Sequence, residues 1–459
     1  MTYSWNPIAA LRAVEPPARL KVVLLSTWFF LTIMTLWLLK PVRTASLLTH
    51  LGVEELPYLR FGSVLAVGIV VIGYSRIVNY FSRLQVMLGA SVAFALLLVS
   101  VWAALHLGGE ALGGQRWFVW AVFIMVDIYS TVMVAIFWTY ANDVVSRVEA
   151  DKLYAPIGVG GILGGIAGGV SVDMLVQSVG PVDLLLACVG CVVLGGLFAW
   201  LTEDALKPAP RVLVPVARPA MTEMLEGAKD VLKDSYLLEI VGIVVAYECA
   251  SVLTDFGINI VFERAFTSEV ELAQMYGRLG WIVSGTALVS QLVVVPVLLP
   301  MKRAALLVPP VVMAAATLLL AFMPVVGLAF VVAASDRGLN YSLQQVTKET
   351  LYVPLSDLER YKAKAFIDMF VDRAAKALSS VALLGVMVFT GVSVRVSLFL
   401  ALASLLFWVR CASSLGRNYS RRVAESEKAD TAESNHEEAS TCEACAQPVS
   451  VLPPGPGIA

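Results

Sequence analysis

Long uninterrupted apolar stretches alternate with short charged turns along almost the whole chain. Stretches near residues 22–48, 57–78, 84–107, 117–141, 155–178, 181–202, 235–262, 273–299, 303–323, 325–352, 362–390 and 393–414 reach the roughly 20 residues that a bilayer-crossing helix needs. They run continuously rather than alternating with polar positions, which excludes a transmembrane barrel. The pattern predicts an all-α polytopic membrane protein of about twelve transmembrane helices.

The longest connection runs from about Thr202 to Asp234 and holds Lys207, Pro208, Pro210, Arg211, Pro215, Arg218 and Pro219. It divides the chain into an N-terminal bundle (1–203), a cytoplasmic linker (204–234), a C-terminal bundle (235–414) and a tail (415–459). About six helices fall in each bundle, which is the major-facilitator-like plan. Within the linker, Met221 to Leu232 alternates apolar and charged residues at helical spacing, as an amphipathic surface helix does. The tail is rich in Glu, Ala, Ser and Thr, ends in PPGPGIA, and reads as disordered.

Composition narrows the function classes. Of 459 residues, 58% are hydrophobic and 15% charged, against roughly 25% charged in soluble domains, so a soluble enzyme is excluded. A formal net charge of −2 without a basic block gives no nucleic-acid footprint. Three histidines and six cysteines are scattered, which predicts neither a metal site nor a disulfide framework. No nucleophile stands with a base and no HExxH spacing appears, so no enzyme and no cofactor are expected. Gly158 to Gly169 reads GVGGILGGIAGG. It lacks the GKS or GKT of a phosphate cradle and presents small-xxx-small pairs for close helix packing. Cys188-Val-Gly-Cys191, inside a span, reads as small-residue packing, and Phe137, Trp138 and Tyr140 read as aromatic belt anchors.

Orientation follows from lysine and arginine in short loops. Arg12, Arg19 and Lys21, then Arg76 and Arg83, Arg147 and Lys152, Lys302 and Arg303, and Arg360, Lys362 and Lys364 occupy alternate connections. The opposite side holds mainly Arg60, Arg116, Arg264 and Arg395. Both termini are therefore expected in the cytoplasm. No cleavable leader is read before the first span.

Charges inside spans carry the chemistry, because each costs about 2.5–3.5 kcal/mol unless it faces a partner or a wet cavity. Lys40 and Arg43 lie toward the outer part of span one, Asp127 in mid-span four, Asp143 at its inner end and Asp173 in span five. Glu239, Glu248 and Asp255 lie on span seven, and Asp336, Arg337, Lys348 and Glu349 on span ten. Lys364, Asp368, Asp372 and Lys376 recur every fourth residue on span eleven, beside Arg373, and form one stripe of a helix. Several intramembrane cations point to an anionic substrate, with the acids holding them between turnovers. Glu239, near the inner end, reads as a snorkelling side chain.

Phe137 to Asp143 (FWTYAND) with Glu149 to Tyr154 (EADKLY) resembles the ATP/ADP translocases of intracellular bacteria and plastids. So does Thr347-Lys348-Glu349 followed by Tyr352, Pro354, Lys364 to Asp368 (KAFID), Arg373 and Lys376. Tyr236-Leu-Leu with Ala246-Tyr247 is similar too, and the likeness covers most of residues 20–410. The resemblance implies a branch related to the major facilitator superfamily that exchanges or imports nucleotides by alternating access. It also implies that Lys40, Asp143, Asp255 and Lys348 matter for transport. This chain departs from the family in having Pro41 after the first lysine and aspartate, not glutamate, at positions 143 and 255.

The resulting expectation is a secondary-active nucleotide transporter in which Lys40, Arg43, Asp143, Asp255, Lys348, Arg373 and Lys376 bind substrate. Asp127 and Asp372 are the candidates for ion coupling. Two rivals stand beside it: a carrier of another organic anion, proton-coupled, and a non-transporting membrane scaffold working through its linker and tail. The bilayer and an anionic small molecule are the expected partners; the sequence sets no oligomeric state.

Overall fold

The computed structural model describes residues 16–145, 147–206, 228–229, 231–352, 354–355, 359, 363–364 and 366–445. Among them the chain forms helices and turns and no strand. The first half comprises α1 (Pro16–His50), α2 (Leu56–Tyr80), α3 (Arg83–Gly113), α4 (Arg116–Val144), α5 (Arg147–Val179) and α6 (Leu184–Leu206). The second comprises α7 (Ser235–Ala265), α8 (Glu269–Leu298), α9 (Lys302–Phe322), α10 (326–351), α11 (Asp372–Thr390) and α12 (Val394–Cys445).

Eleven helices among the described residues are long and apolar enough to cross a membrane. The expected span that does not qualify as one continuous helix is α10, which two π-helical turns, Ala334–Gly338 and Asn340–Gln344, break into short pieces. Such turns insert a residue into the helical ladder and re-aim the side chains that follow, and they recur at functional sites. A further π turn, Ile367–Val371, leads into α11.

The glycine run of α5 acts in packing. A Cβ on Gly160 would stand 2.6 Å from the Ser26 carbonyl oxygen, and one on Gly168 2.7 Å from that of Met34, both on α1. On the other flank, a Cβ on Gly169 would stand 2.5 Å from the backbone nitrogen of Trp281 on α8. Small residues thus let α5 lie directly against α1 in its own half and α8 in the other. Hydroxyls facing apolar surroundings bond within their own helix, as Thr32 to the Trp28 carbonyl (3.0 Å) and Thr35 to that of Leu31 (2.8 Å). No water is at hand in a bilayer to satisfy them.

The structure corrects several expectations. Phe137 and Tyr140 are buried rather than at a lipid interface; Phe137 stacks on Phe29 at 4.4 Å and meets Trp28 edge-on at 5.3 Å. Glu239 does not snorkel. Its carboxylate accepts from Ser414 (2.6 Å) and Asn418 (2.8 Å), tying α7 to α12. Beyond Arg422, where the sequence reads as disordered, α12 continues as helix to Cys445, in keeping with the Ala and Glu that fill this stretch. Residues 446–459 and most of the Met221 to Leu232 segment lie outside the described residues, although 228–229 and 231–232 are helical.

Candidate functional site

Between the halves lies a cavity of about 430 Å³. Pro41 sits at its wall: lacking an N–H, it leaves the carbonyl of Trp37 without its helical partner one turn earlier, and both residues line the cavity next to Lys40. The wall carries six cationic side chains, Lys40, Arg43, Arg60, Arg337, Arg373 and Lys376, against four carboxylates, Asp127, Glu248, Asp255 and Asp372.

The acids are all engaged. Arg43 on α1 pairs with Asp127 on α4, donates to the Phe123 carbonyl (3.0 Å), and lies over the Phe123 ring at 4.0 Å. Asp255 on α7 is held by two arginines, Arg60 from α2 and Arg337 from α10, and accepts from Asn259 Nδ2 at 3.1 Å. Lys376 on α11 sits between Asp372 (2.8 Å) and Glu248 (3.5 Å). Lys40 and Arg373 form no ion pair among the described residues; Lys40 instead stands 5.3 Å from the centre of the Trp37 ring. The cavity therefore presents excess positive charge in a low-dielectric setting, where a buried cation without a counter-ion is costly. An anion entering it would restore neutrality.

Of the residues expected from sequence, Lys40, Arg43, Asp127, Asp255, Asp372, Arg373 and Lys376 meet here. Asp143 and Lys348 do not. Asp143 pairs with Arg83 Nε at 2.9 Å at the far end of α4, sixteen residues and so about 24 Å of helix beyond Asp127. Lys348 lines an adjoining, smaller cavity of about 150 Å³, which shares Glu248, Asp372 and Lys376 with the central one, and it pairs with Asp368 at 3.0 Å. The stripe on span eleven splits accordingly. Lys364 and Asp368 turn to α10, Lys364 reaching Glu349 at 2.5 Å, whereas Asp372 and Lys376 face the cavity beyond the intervening π turn.

Sequence reasoning missed two cavity arginines. Arg60 read as a loop cation, yet it lies one turn inside α2 and crosses to the other half; Arg337 stood among the charges of span ten without a role. The available signal was an arginine inside an apolar stretch for Arg60, and an intramembrane arginine beside Asp336 for Arg337.

A model of the TLC ATP/ADP transporter family matches residues 101–329 and 317–419. The chain belongs to that family. It is 25% identical over 455 residues to "ADP,ATP carrier protein 2" of Chlamydia trachomatis, covering 81% of this chain and 83% of the relative. To "ADP,ATP carrier protein 1" of Chlamydia muridarum it is 22% identical over 366 residues, 68% of each chain. The fold is that of the major-facilitator-like transporters. The POT family transporter PepTSo superposes with a TM-score of 0.60 at 11% identity, covering 88% of this chain and 98% of its own. The nucleoside transporter NupG gives 0.56 at 13% identity, covering 87% and 98%. This TLC-family chain is thus an integral membrane transporter, and its excess of cavity cations is the feature that bears on its substrate.

Proposed function

We propose that the protein exchanges or imports adenine nucleotides, ATP and ADP, by rocking its two halves about the central cavity. The observation that carries this reading is the pair of cavity cations, Lys40 and Arg373, that form no ion pair among the described residues, beside arginines paired to Asp127 and Asp255. Lysine contacts a phosphate as a point charge and arginine as a two-pronged donor, so a polyphosphate of variable pose is accommodated. Arg43, Arg337 and Lys376 complete the ring, and Asp127, Asp255 and Asp372 neutralise it between turnovers. Membership of an ATP/ADP transporter family supports nucleotide over other anions. On this reading the broken α10 is the twelfth span, and the distribution of basic loops supports cytoplasmic termini in a bacterial inner membrane.

A second reading is favoured by one feature. Glu248 and Asp372 share a single ammonium, that of Lys376, which leaves one negative charge for a proton to neutralise during coupled uptake of an organic anion.

Thermal stabilisation of the purified protein by ATP, ADP, AMP, adenosine and dicarboxylates separates these. A ligand at a hundred times its Kd adds about 2.7 kcal/mol of stability. The nucleotide reading expects shifts that fall from ATP through AMP and vanish with adenosine. A shift with dicarboxylates alone, together with uptake that follows an imposed pH gradient, would replace it with the second. Vesicles preloaded with unlabelled ATP should take up label faster than empty ones if the protein is an exchanger.

A further inference from the structure

The doubly bridged Asp255 links residues that the substrate reading alone does not connect. Arg60 belongs to the first half and Asp255 to the second, so their ion pair ties the halves together across the cavity. Arg60 also donates from Nη1 to the backbone carbonyl of Val252 at 3.0 Å, one turn below Asp255 on the same helix. Toward the end of the bundle where α1 and α7 finish, the Val53 amide donates to Glu263 Oε1 at 2.8 Å, again from one half to the other. These contacts cross between the halves on the side where His50 and Ala265 lie, as does Asp173 near the end of α5, which pairs with Arg278 at 3.1 Å and accepts from Trp281 at 3.0 Å near the start of α8. Meanwhile Arg337 supplies Asp255 with a second guanidinium from within its own half. Asp255 therefore stays neutralised if Arg60 departs.

We propose that Arg60 is a substrate-phosphate ligand and the latch between the halves at once. In the empty protein Asp255 and the Val252 carbonyl hold it and keep the His50 side shut. A phosphoryl group in the cavity, carrying more charge than one carboxylate, draws the Arg60 guanidinium off Asp255; Arg337 remains to neutralise the acid, and the halves separate on that side. Opening thus depends on occupancy, which couples transport to the presence of substrate at each reorientation. The proposal rests on the reading of the cavity as an anion site, and on no particular nucleotide.

The test uses the full-length chain in vesicles, with its native cysteines replaced and Ser63→Cys introduced. Ser63 lines the cavity one turn from Arg60. A membrane-impermeant maleimide is applied to each face in turn. Without substrate, Arg60→Gln should raise labelling from the His50 side several-fold, and Arg60→Lys should restore much of the protection. ATP should raise labelling from the same side in the Arg60 protein. Arg60→Gln should also bring uptake by empty vesicles up toward that of preloaded ones. Should Arg60→Gln fail to fold, Asp255→Asn, which keeps both arginines, tests the same tie by the same labelling. Labelling unchanged from both faces in every folded variant overturns the latch. If the variants open the His50 side but only inorganic phosphate or another anion, not ATP, does so in the parent, the latch stands and the nucleotide reading falls.

Discussion

Lys40 stands 5.3 Å from the centre of the Trp37 ring, one turn away on the same helix, with no carboxylate paired to it among the described residues. The indole face supplies a weak electrostatic partner that a phosphate can readily outbid. An ammonium in this state contributes little to the empty fold and much to ligand binding.

Lys40→Ala is accordingly expected to lower affinity for ATP by roughly ten- to a hundredfold, the loss of a charged hydrogen bond of about 1.5–3 kcal/mol. The unfolding midpoint without ligand should stay the same or rise. Thermal shifts measured across an ATP titration read both quantities. A parallel loss of ligand-free stability would show that Lys40 is structural.

Lys348 differs in kind, since it is paired to Asp368 outside the central cavity. Lys348→Met should leave the ATP-induced shift in place but lower the ligand-free midpoint, because Asp368 then loses its partner. The double variant Lys348→Met with Asp368→Met should recover most of that loss, as replacing both members of a partly buried pair is tolerated better than removing one. Loss of the ATP shift in Lys348→Met with the fold intact would return this lysine to the binding site.

On α5, Gly169→Leu should destabilise the protein by about 1–3 kcal/mol or more, the range for overpacking a close contact. A Cβ there already meets the Trp281 nitrogen. Gly190→Ala on α6 is the control, as a Cβ at that position meets nothing within 4 Å. Monodispersity in detergent and midpoint temperature distinguish the two; equal behaviour would argue against tight α5–α8 apposition.

Truncation after Arg422 is expected to preserve exchange. Arg422 Nη2 pairs with Asp234 at 2.8 Å, and Asp234 caps α7 by accepting from the Tyr236 amide at 2.8 Å. Removing Arg422 as well should therefore weaken the start of α7, by up to about 1 kcal/mol for a half-exposed pair. Exchange assays on the two truncations test this, and abolition by the first would show that the helix beyond Arg422 is needed for exchange.

Much was legible in the chain alone, because hydrophobic continuity is a local property. Apolar stretches of sufficient length marked the helices, and the cost of charge in hydrocarbon marked Lys40, Arg43, Asp127, Asp255, Asp372, Arg373 and Lys376 as residues facing something polar. What was not legible is which charge meets which. That depends on the rotation of each helix and on the packing of the halves, and two π turns in α10 and one before α11 alter the phase that an ideal helical repeat would assign. Tertiary structure alone carried Lys348 and Asp143 away from the cavity, set Arg337 on Asp255, and brought Arg60 across from the other half. Sequence determined that charges had to be buried; only the fold decided their partners, because an ion pair acts over a few ångströms in space, whatever the separation along the chain.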